Sequence, residues 1–446
     1  MKEKIRIPSY VNKVIALLEL SGYEAYIVGG CVRDQLLGSE PHDFDVCTDA
    51  EPEQMKKALS GLHLIDTGIK HGTVTAMVEH KPVEMTTFRS DGEYEDHRHP
   101  KQVTFSKTLE EDLSRRDFTV NAMAYSDRTG LVDMFGGRDD LDKKIIRCVG
   151  EPDRRFDEDA LRILRAMRFS SMLGFEIEDE TAASVMRNRF LLKSISAERI
   201  AQELFKLLCG DRATDVLLEF SEVMCVVIPE LQSCVGYIQH NPHHCYTVYE
   251  HICRSVGNIR KEPALRMTML LHDIAKPLCR TTDENGVDHF KGHPVKGGET
   301  ADEVLRRLKT DNASRERICE LVRNHDNRIA CTKKSVMKFI SKHGTGFFED
   351  YLDVRYADTL AQSNYMIEEK LEELDRFRAL YEEILEERPV LSLRQLAING
   401  HDLIDAGFDG RQIGKALQLA LDAVIDGECA NEKKELMSYI ENNTEK

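Results

Sequence analysis

The sequence predicts an α/β region of roughly 140 residues, followed by an all-α region that fills the rest of the chain. Apolar runs at 74–78 and 83–88 are typical of strands and lie among helical segments in the first part. From about residue 150 onward the apolar spacing is that of amphipathic helices. The chain has 446 residues and is 41% hydrophobic, so it can bury several cores, and we expect two to four domains.

The elements follow from local patterns. Pro82 predicts that the strands at 74–78 and 83–88 are joined by a turn at 79–82. Residues 157–169 have the spacing of one amphipathic helix with Asp157 as its N-cap. The segment 365–388 predicts a long acidic helix with a solvated face.

The net charge of −17 argues against a generic basic nucleic-acid binder, but the charge is uneven. Residues 361–446 hold 19 acidic and 10 basic side chains, a net of −9, whereas arginines cluster near the motifs described below. The N-terminal residues lack the apolar core of a secretion signal, and no apolar run could span a membrane. The twelve scattered cysteines include no C-x-x-C pair. These features predict a cytoplasmic protein with reduced thiols and no membrane partner.

The first chemical motif is DFDVCT (43–48), which follows YIVGGCVRDQLLG (26–38). Side chains alternate along a strand, so Asp43 and Asp45 are expected to face the same side. Paired carboxylates suit Mg²⁺, and two such ions can activate a hydroxyl and neutralise a leaving pyrophosphate. Gly29 and Gly30 let backbone amides approach a phosphate at a helix start, and Arg33 adds a bidentate donor. The pattern predicts a Mg²⁺-dependent nucleotidyl-transfer site.

These segments resemble the head domain of the DNA polymerase β nucleotidyltransferase superfamily. They are closer to the bacterial class II tRNA nucleotidyltransferases and poly(A) polymerases. The resemblance is dense over residues 20–210 and includes VEMTTFR (83–89), RRDFTVNAMA (115–124), VDMFGGRDDLDKKIIR (132–147) and ERIAQELFKLL (198–208). It implies a polymerase β-like mixed sheet in the head, with Glu84 as a third catalytic carboxylate beside Asp43 and Asp45. The nucleotide-binding residues that it implies, with the two already described, are Gly30, Arg33, Arg116, Asp117, Asn121, Asp159, Arg162, Arg165 and Arg168.

The resemblance also implies how the base is chosen. In this family the equivalents of Asp159 and Arg162 contact the Watson–Crick edge of the incoming nucleotide. Cytosine and adenine each carry an amino donor beside a ring-nitrogen acceptor, which a carboxylate and a guanidinium complement. Guanine and uracil present a carbonyl oxygen where Asp159 needs a donor, which costs about 1–3 kcal/mol. Arg165 and Arg168 suit phosphate contacts or structure; alternatively the four side chains form an ion-pair ladder on a solvated helix.

Two further segments resemble parts of this family. Residues 90–103 are polar and irregular, and resemble the flexible loop of full CCA-adding and A-adding members; a plain surface loop is the alternative. Residues 399–421 resemble the tail that grips the tRNA elbow, with a glycine turn and a helix start suited to phosphates. A helical hairpin capped by glycine is the alternative there. The phosphate-binding candidates in the tail are Gly410, Arg411, Gly414 and Lys415.

A second motif set spans 248–362 and resembles the HD phosphohydrolase superfamily: VYEHI, LLHDIAKP, KGHPVKG, VRNHDN and YADTLAQ. It implies a metal set of His251, His272, Asp273 and Asp358. His293 and His325 are candidates for a second ion or a substrate phosphate. Mixed nitrogen and oxygen ligands favour Ni, Mn or Fe over a closed zinc site. The alternative is a helical scaffold that binds no metal.

The sequence therefore predicts a head (1–140), a helical neck (141–225), an HD-type domain (226–362) and a helical tail (363–446). The expected activity is template-independent addition of C and A from CTP and ATP to the tRNA 3′ end, with an HD phosphohydrolase side activity. The alternatives are a poly(A) polymerase, a CC- or A-adding enzyme, an HD phosphodiesterase or phosphatase, and a catalytically silent RNA-binding protein. The motifs alone do not choose among CC, A and CCA addition.

Overall fold

The computed structural model describes residues 5–69, 72–91 and 103–444. The chain divides into two compact units, Met1–Gln232 and Ser233–Lys446. Most of the loop expected at 90–103 lies outside the described residues.

The first unit is built on a mixed seven-stranded sheet with the order β3-β4-β5-β2-β1-β8-β9. Its strands are β1 (Ala25–Val28), β2 (Asp45–Thr48), β3 (His63–Gly68), β4 (Thr73–Val78), β5 (Lys81–Thr87), β8 (Met123–Ser126) and β9 (Gly130–Asp133). A separate antiparallel pair is formed by β6 (Arg89–Asp91) and β7 (Val103–Phe105). Within the seven-stranded sheet only β2 and β5 pair in parallel. The predicted mixed sheet of the head is thus confirmed.

Helices surround this sheet and continue beyond it. They are α1 (Ser9–Leu20), α2 (Gly30–Leu36), α3 (Pro52–Ala58), α4 (Leu109–Ser114), α5 (Gly137–Lys143), α6 (Pro152–Glu158), α7 (Leu161–Leu173), α8 (Asp179–Asn188), α9 (Ala197–Leu208), α10 (Ala213–Glu219) and α11 (Ser221–Val227). The predicted all-α neck needs a small correction, because β10 (Ile145–Ile146) and β11 (Glu176–Ile177) form a short parallel pair. This pair ties the chain before α6 to the chain after α7.

Pro82 does not lie in the predicted turn. It is the second residue of β5 and pairs with Met77, and the turn consists of Glu79 and His80, both with positive φ. The pairing of β5 with β2 begins only at Glu84, so nothing on that side requires a backbone N–H from residue 82.

The single helix predicted over 157–169 is wrong. The helix breaks at Asp159, which has φ −140° and ψ 101° and lies between α6 and α7. The Asp159 carboxylate accepts a hydrogen bond from Leu161 N at 3.1 Å. Asp159 therefore does not share a helical face with Arg162, Arg165 and Arg168.

The second unit is helical apart from one short hairpin, β12 (Thr281–Thr282) and β13 (Asp288–His289). Its helices are α12 (Val248–Asn258), α13 (Pro263–Leu271), α14 (His293–Arg307), α15 (Asn312–Asn324), α16 (Lys333–His343), α17 (Thr345–Leu360), α18 (Ile367–Glu387), α19 (Gly400–Asp405), α20 (Gly410–Asp426) and α21 (Lys433–Asn443). The predicted acidic helix is α18, which buries an apolar stripe that includes Phe377 and Ile384. In the described residues no helix is both long and apolar enough to cross a membrane. All twelve cysteines are free thiols.

Candidate functional site

Strand pairing brings the predicted carboxylates together. Asp45 opens β2 and lies opposite Glu84 in the parallel ladder with β5. Asp43 precedes the strand, so the loop and not strand alternation sets its position. On the other side of β2, Asp45 lies opposite Val28, directly before the Gly29–Gly30 turn.

The carboxylates lie close enough to influence one another. Loss of solvent around its carboxylate and the negative charges of Glu84 and Asp43 together raise the pKa of Asp45 to about 6, against the opposing charge of Arg116. Among the described residues none of the three carboxylates has a basic partner at ion-pair distance. A cluster of hard oxygen donors with uncompensated negative charge fits Mg²⁺. Asp43, Asp45 and Glu84 would hold the ion.

The turn after β1 depends on glycine. Gly29 has φ +78°, and a Cβ atom there would lie 3.0 Å from Nη1 of Arg116. The backbone can therefore turn tightly into α2, which begins at Gly30. Arg33, in the same helix, is buried and donates from Nη1 to Asn121 Oδ1 at 2.6 Å.

Asp117 lies at the centre of the polar network behind these residues. Its carboxylate accepts from Asn121 Nδ2 at 3.1 Å and from Arg165 Nε at 2.8 Å. Burial alone would raise the pKa of Asp117, but Arg165 and the hydrogen bonds hold it well below the ordinary value. Arg33, Asn121, Asp117 and Arg165 thus form a continuous chain, in which each side chain orients the next.

Arg116 is held from the opposite direction. The buried Asp112 accepts from Arg116 Nη2 at 3.1 Å and from Arg115 Nη2 at 2.7 Å. Burial opposes ionisation, yet the two guanidinium groups keep the pKa of Asp112 below its usual value. Asp112 was not predicted; its position one turn before the arginine pair was the available signal.

The base-reading candidates Asp159 and Arg162 have different partners. Arg162 is buried, and its guanidinium donates to Glu158 Oε2 at 2.9 Å and to the carbonyl oxygens of residues 155 and 115. Asp159 instead forms an ion pair with Arg199 of α9, with Nη2 3.1 Å from Oδ2. The ion-pair ladder along one helix face, the alternative to base reading, is therefore not observed among these residues.

Arg168 completes the arginine cluster. Its Nε lies 2.5 Å from Glu203 Oε2, and its guanidinium lies 3.9 Å from the centroid of the Phe169 ring. Arg33 and Arg165 also approach this ring, at 5.2 and 5.4 Å. Phe169 and Glu203 were missed from the sequence, because an apolar core position and a helix-surface carboxylate are indistinguishable there from ordinary structure.

The second unit holds a separate cluster of four buried histidines. Each Nδ1 lies 2.7–3.0 Å from a backbone carbonyl oxygen and must be its donor, so each neutral ring presents the Nε2 lone pair to the cluster. These rings belong to His251, His272, His293 and His325. The Nε2 atoms approach in two pairs, at 3.2 Å between His251 and His272 and at 3.1 Å between His293 and His325. Two facing lone pairs at this distance require a cation or a proton.

Asp273 lies between the two histidine pairs. Its Oδ2 is 3.2 and 3.3 Å from the Nε2 atoms of His251 and His272, and its Oδ1 is 3.2 and 3.5 Å from those of His293 and His325. Within the described residues neither oxygen has a hydrogen bond of good geometry, although Lys276 Nζ is 2.7 Å from Oδ2. A bridging carboxylate with unsatisfied oxygens fits two adjacent metal positions.

Asp358 completes the first of these positions, with Oδ1 2.9 Å from His251 Nε2. The two compatible ligand groups are His251, His272, Asp273 and Asp358, and Asp273, His293 and His325. Burial would lower the pKa of His272, but Asp273 and Asp358 raise it to about 10. The carboxylates therefore make this position favourable for positive charge.

Part of this histidine and carboxylate cluster lines a cavity of about 570 Å³, namely Asp273, His293, His325 and Asp358. The basic residues on its wall are Lys276, Lys291, Arg328, Arg355 and Lys370. Lys370 comes from α18, and its Nζ donates to Gln362 Oε1 at 2.7 Å and to His243 Nδ1 at 3.0 Å. Lys370 was not predicted, because the acidic composition of its helix is typical of a solvated surface.

The tail candidates lie on one helix start. Gly410 opens α20, with Asp409 and Gln412 forming a capping box, and Arg411 and Lys415 are exposed on the first two turns.

Comparison with known families identifies the same regions. Residues 25–147 match the poly(A) polymerase head domain, residues 174–234 match the RNA- and SrmB-binding site of polymerase A, and residues 295–440 match tRNA nucleotidyltransferase domain 2.

Among individual proteins, the chain is 33% identical to a CCA-adding enzyme of Lactobacillus helveticus over 430 residues, which cover 96% of this chain and 95% of that enzyme. It is 49% identical to a CCA-adding enzyme of Geobacillus thermodenitrificans over 204 residues, 46% of this chain and about half (50%) of that relative. A solved structure, the Bacillus stearothermophilus CCA-adding enzyme in complex with CTP, has a TM-score of 0.74 at 29% identity, covering 97% of this chain and 96% of that one. On this near full-length likeness, the chain belongs to the CCA-adding enzyme family of tRNA nucleotidyltransferases.

Proposed function

We propose that this chain adds C and A nucleotides from CTP and ATP to the 3′ end of tRNA without a template. The observation that carries the proposal is the group of Asp43, Asp45 and Glu84 at the β2–β5 pair, which has no ion-pair partner in the described part of the chain. The near full-length likeness to a CCA-adding enzyme, and to one solved with CTP, supports the choice of substrates. The four-part division at residues 140, 225 and 362 belongs to the proposal.

In this proposal each part of the head has a task. Mg²⁺, when bound by Asp43 and Asp45, would activate the tRNA 3′-hydroxyl for in-line attack on the α-phosphate and neutralise the leaving pyrophosphate. The backbone at Gly30 and the Arg33 and Arg116 side chains would receive the triphosphate. The chain's own contribution is positioning and charge neutralisation.

Base choice is assigned to the region around α6 and α7. The Asp159 carboxylate would accept from the exocyclic amino group of cytosine or adenine, and Arg162 would donate to the ring nitrogen. Arg162 would have to redirect one donor from its present carbonyl partners. Exposed Arg411 and Lys415 at the start of α20 would contact tRNA phosphates.

Asp45→Ala is expected to abolish incorporation of labelled CTP into tRNA that lacks its 3′ end, because the variant loses a metal ligand. Asp43→Ala should behave in the same way, while tRNA binding persists. Asp127→Ala, an exposed carboxylate of the same unit, serves as the matched control and should retain activity. Retained incorporation by Asp45→Ala would contradict the proposal.

Sizing the products of wild-type protein with CTP, ATP or both separates the related activities. Three added nucleotides indicate CCA addition, and one or two indicate an A- or CC-adding enzyme. A long product with ATP alone indicates a poly(A) polymerase.

The histidine cluster supports a second candidate function, a metal-dependent phosphohydrolase of the HD type. Four inward Nε2 lone pairs and the unsatisfied Asp273 oxygens fit one or two divalent ions of Ni, Mn or Fe. The two ligand groups would hold the ion, which when bound supplies Lewis-acid activation of a phosphate ester and of water. Lys276, Arg355 and Lys370 on the cavity wall would compensate the phosphate charge.

His272→Ala is expected to lose bound metal and the hydrolysis of bis(p-nitrophenyl) phosphate, because Nε2 of residue 272 is a ligand. His289→Ala is the matched control, since His289 is exposed on the same cavity wall and outside the ligand groups. Metal content per chain, measured by mass spectrometry, is the primary readout. A purified wild-type protein that takes up no metal after incubation with Ni²⁺, Mn²⁺ or Fe²⁺ would exclude this function.

A further inference from the structure

The carboxylate of Asp159 is held by groups from two different parts of the first unit. Oδ1 accepts from Leu161 N at 3.1 Å, the first amide after the helix break. Oδ2 accepts from Arg199 Nη2 at 3.1 Å, and the same nitrogen lies 3.5 Å from Oδ1. One contact is local and the other crosses from α9, so together they fix both the position and the rotation of the carboxylate.

Arg199 contacts the Asp159 carboxylate directly, whereas Arg162 is bound to other groups. The guanidinium of Arg162 is engaged by Glu158 and two backbone carbonyl groups, whereas Arg199 forms the ion pair with Asp159. Four residues further along α9, Glu203 pairs with Arg168. Two successive turns of α9 thus provide the ion-pair partners of Asp159 and Arg168.

Arg199 also has an unused donor. Its Nη1 is buried and, among the described residues, has no hydrogen-bond partner. The side chains of Arg199 and Asp159 are 26% and 22% exposed, so the ion pair lies at the edge of a space that a ligand can enter. A buried donor without an acceptor is unfavourable, and an acceptor on a bound nucleotide would satisfy it.

We propose that Arg199 is a positioning residue for base selection. It holds the Asp159 carboxylate so that a remaining lone pair accepts the exocyclic amino group of cytosine or adenine. This inference rests on the proposed nucleotide addition and on the base-reading role of Asp159. A carboxylate that can rotate would move away from the carbonyl oxygen of uracil or guanine, and the penalty that excludes UTP and GTP would fall.

Arg199→Met is therefore expected to lower the ratio of kcat/KM for CTP to that for UTP by about tenfold, the effect of losing one charged hydrogen bond. Most of the change should be a gain in UTP incorporation, with kcat for CTP little altered. Arg199→Lys keeps the charge but not the fork of donors, so it should recover part of the ratio. Arg187→Met, an exposed arginine paired with Asp153 and Glu180, is the control.

A double-mutant cycle tests whether Arg199 acts through Asp159. The variant Asp159→Ala with Arg199→Met should have the same CTP-to-UTP ratio as Asp159→Ala alone. Additive effects, an unchanged ratio in Arg199→Met, or an equal loss with every nucleotide would each overturn the inference. Thermal unfolding of each variant identifies loss of folding, and Arg199→Lys then provides the decisive ratio.

The two proposals fail in different ways. Wild-type protein that does not extend tRNA, or Asp45→Ala that does, removes the proposed nucleotide addition itself. Normal wild-type addition together with an unaltered ratio in Arg199→Met removes only the role of Arg199.

Discussion

The charge state of a buried side chain in this protein depends on the groups that donate hydrogen bonds to it. Asp117 is 7% exposed, yet it remains ionised because Arg165, Asn121 and the amide of Phe118 all donate to it. Asn121 in turn presents its oxygen to Arg33. A change at residue 117 would therefore disturb side chains on three elements.

Asp117→Asn is expected to lower the urea midpoint at pH 7, because it leaves Arg165 without a counter-charge at a cost of about 1–3 kcal/mol. The folded pKa of Asp117 is lowered, so its stabilisation is present above the ordinary carboxyl pKa and is lost as pH falls through the folded value. The difference in urea midpoint between Asp117→Asn and the wild type should become smaller below about pH 4. Asp127→Asn, a change at an exposed carboxylate, is the control, and its free energy of unfolding should differ from that of the wild type by less than about 0.5 kcal/mol. A difference in urea midpoint that does not change with pH would contradict this explanation.

At the scale of elements, a helix break and one strand pairing position the candidate residues of the first unit. The break between α6 and α7 takes Asp159 off the helix and gives its carboxylate the first free amide of α7. A continuous helix would have directed residue 159 along the same face as residue 162. The parallel pairing of β2 with β5 similarly aligns Asp45 with Glu84, although 38 intervening residues separate them in the chain.

The strand alternation rule was only partly applicable to the head carboxylates. It predicted that Asp43 and Asp45 share a strand face, but β2 begins at Asp45. Their proximity nonetheless follows from the short chain between them. For Pro82 the rule against proline in central strands was applied too broadly, because β5 is central only from Glu84 onward.

On the scale of the whole molecule, each unit contains one cluster of candidate catalytic or metal-binding side chains. The carboxylates and arginine network lie within Met1–Gln232, and the histidine cluster with its bridging Asp273 lies within Ser233–Lys446. Among the described residues, the members of each set all come from one unit. We therefore expect two activities that can be removed one at a time.

Asp45→Ala should lose CTP incorporation while keeping bound metal in the second unit and hydrolysis of bis(p-nitrophenyl) phosphate. His272→Ala should show the opposite result, with tRNA extension retained. Both assays on one preparation of each variant make the comparison direct. Loss of both activities in either variant, with the thermal transition unchanged, would mean that the two sites are coupled.

The sequence by itself identified the candidate residues of both sites, because the residue types of a motif and their spacing are visible without coordinates. Asp43 and Asp45, the RRDF segment and the ordered His and Asp pattern were all identifiable without coordinates. Net charge was a weaker indicator of a nucleic-acid partner, since much of the −17 lies in residues 361–446. Only the tertiary structure decided which side chains hold those groups. Arg199 meets Asp159, Glu203 meets Arg168 and Lys370 reaches the histidine cavity across 35 or more residues. Contacts of this kind depend on how helices pack, and helix periodicity specifies a buried face without naming the residue opposite it.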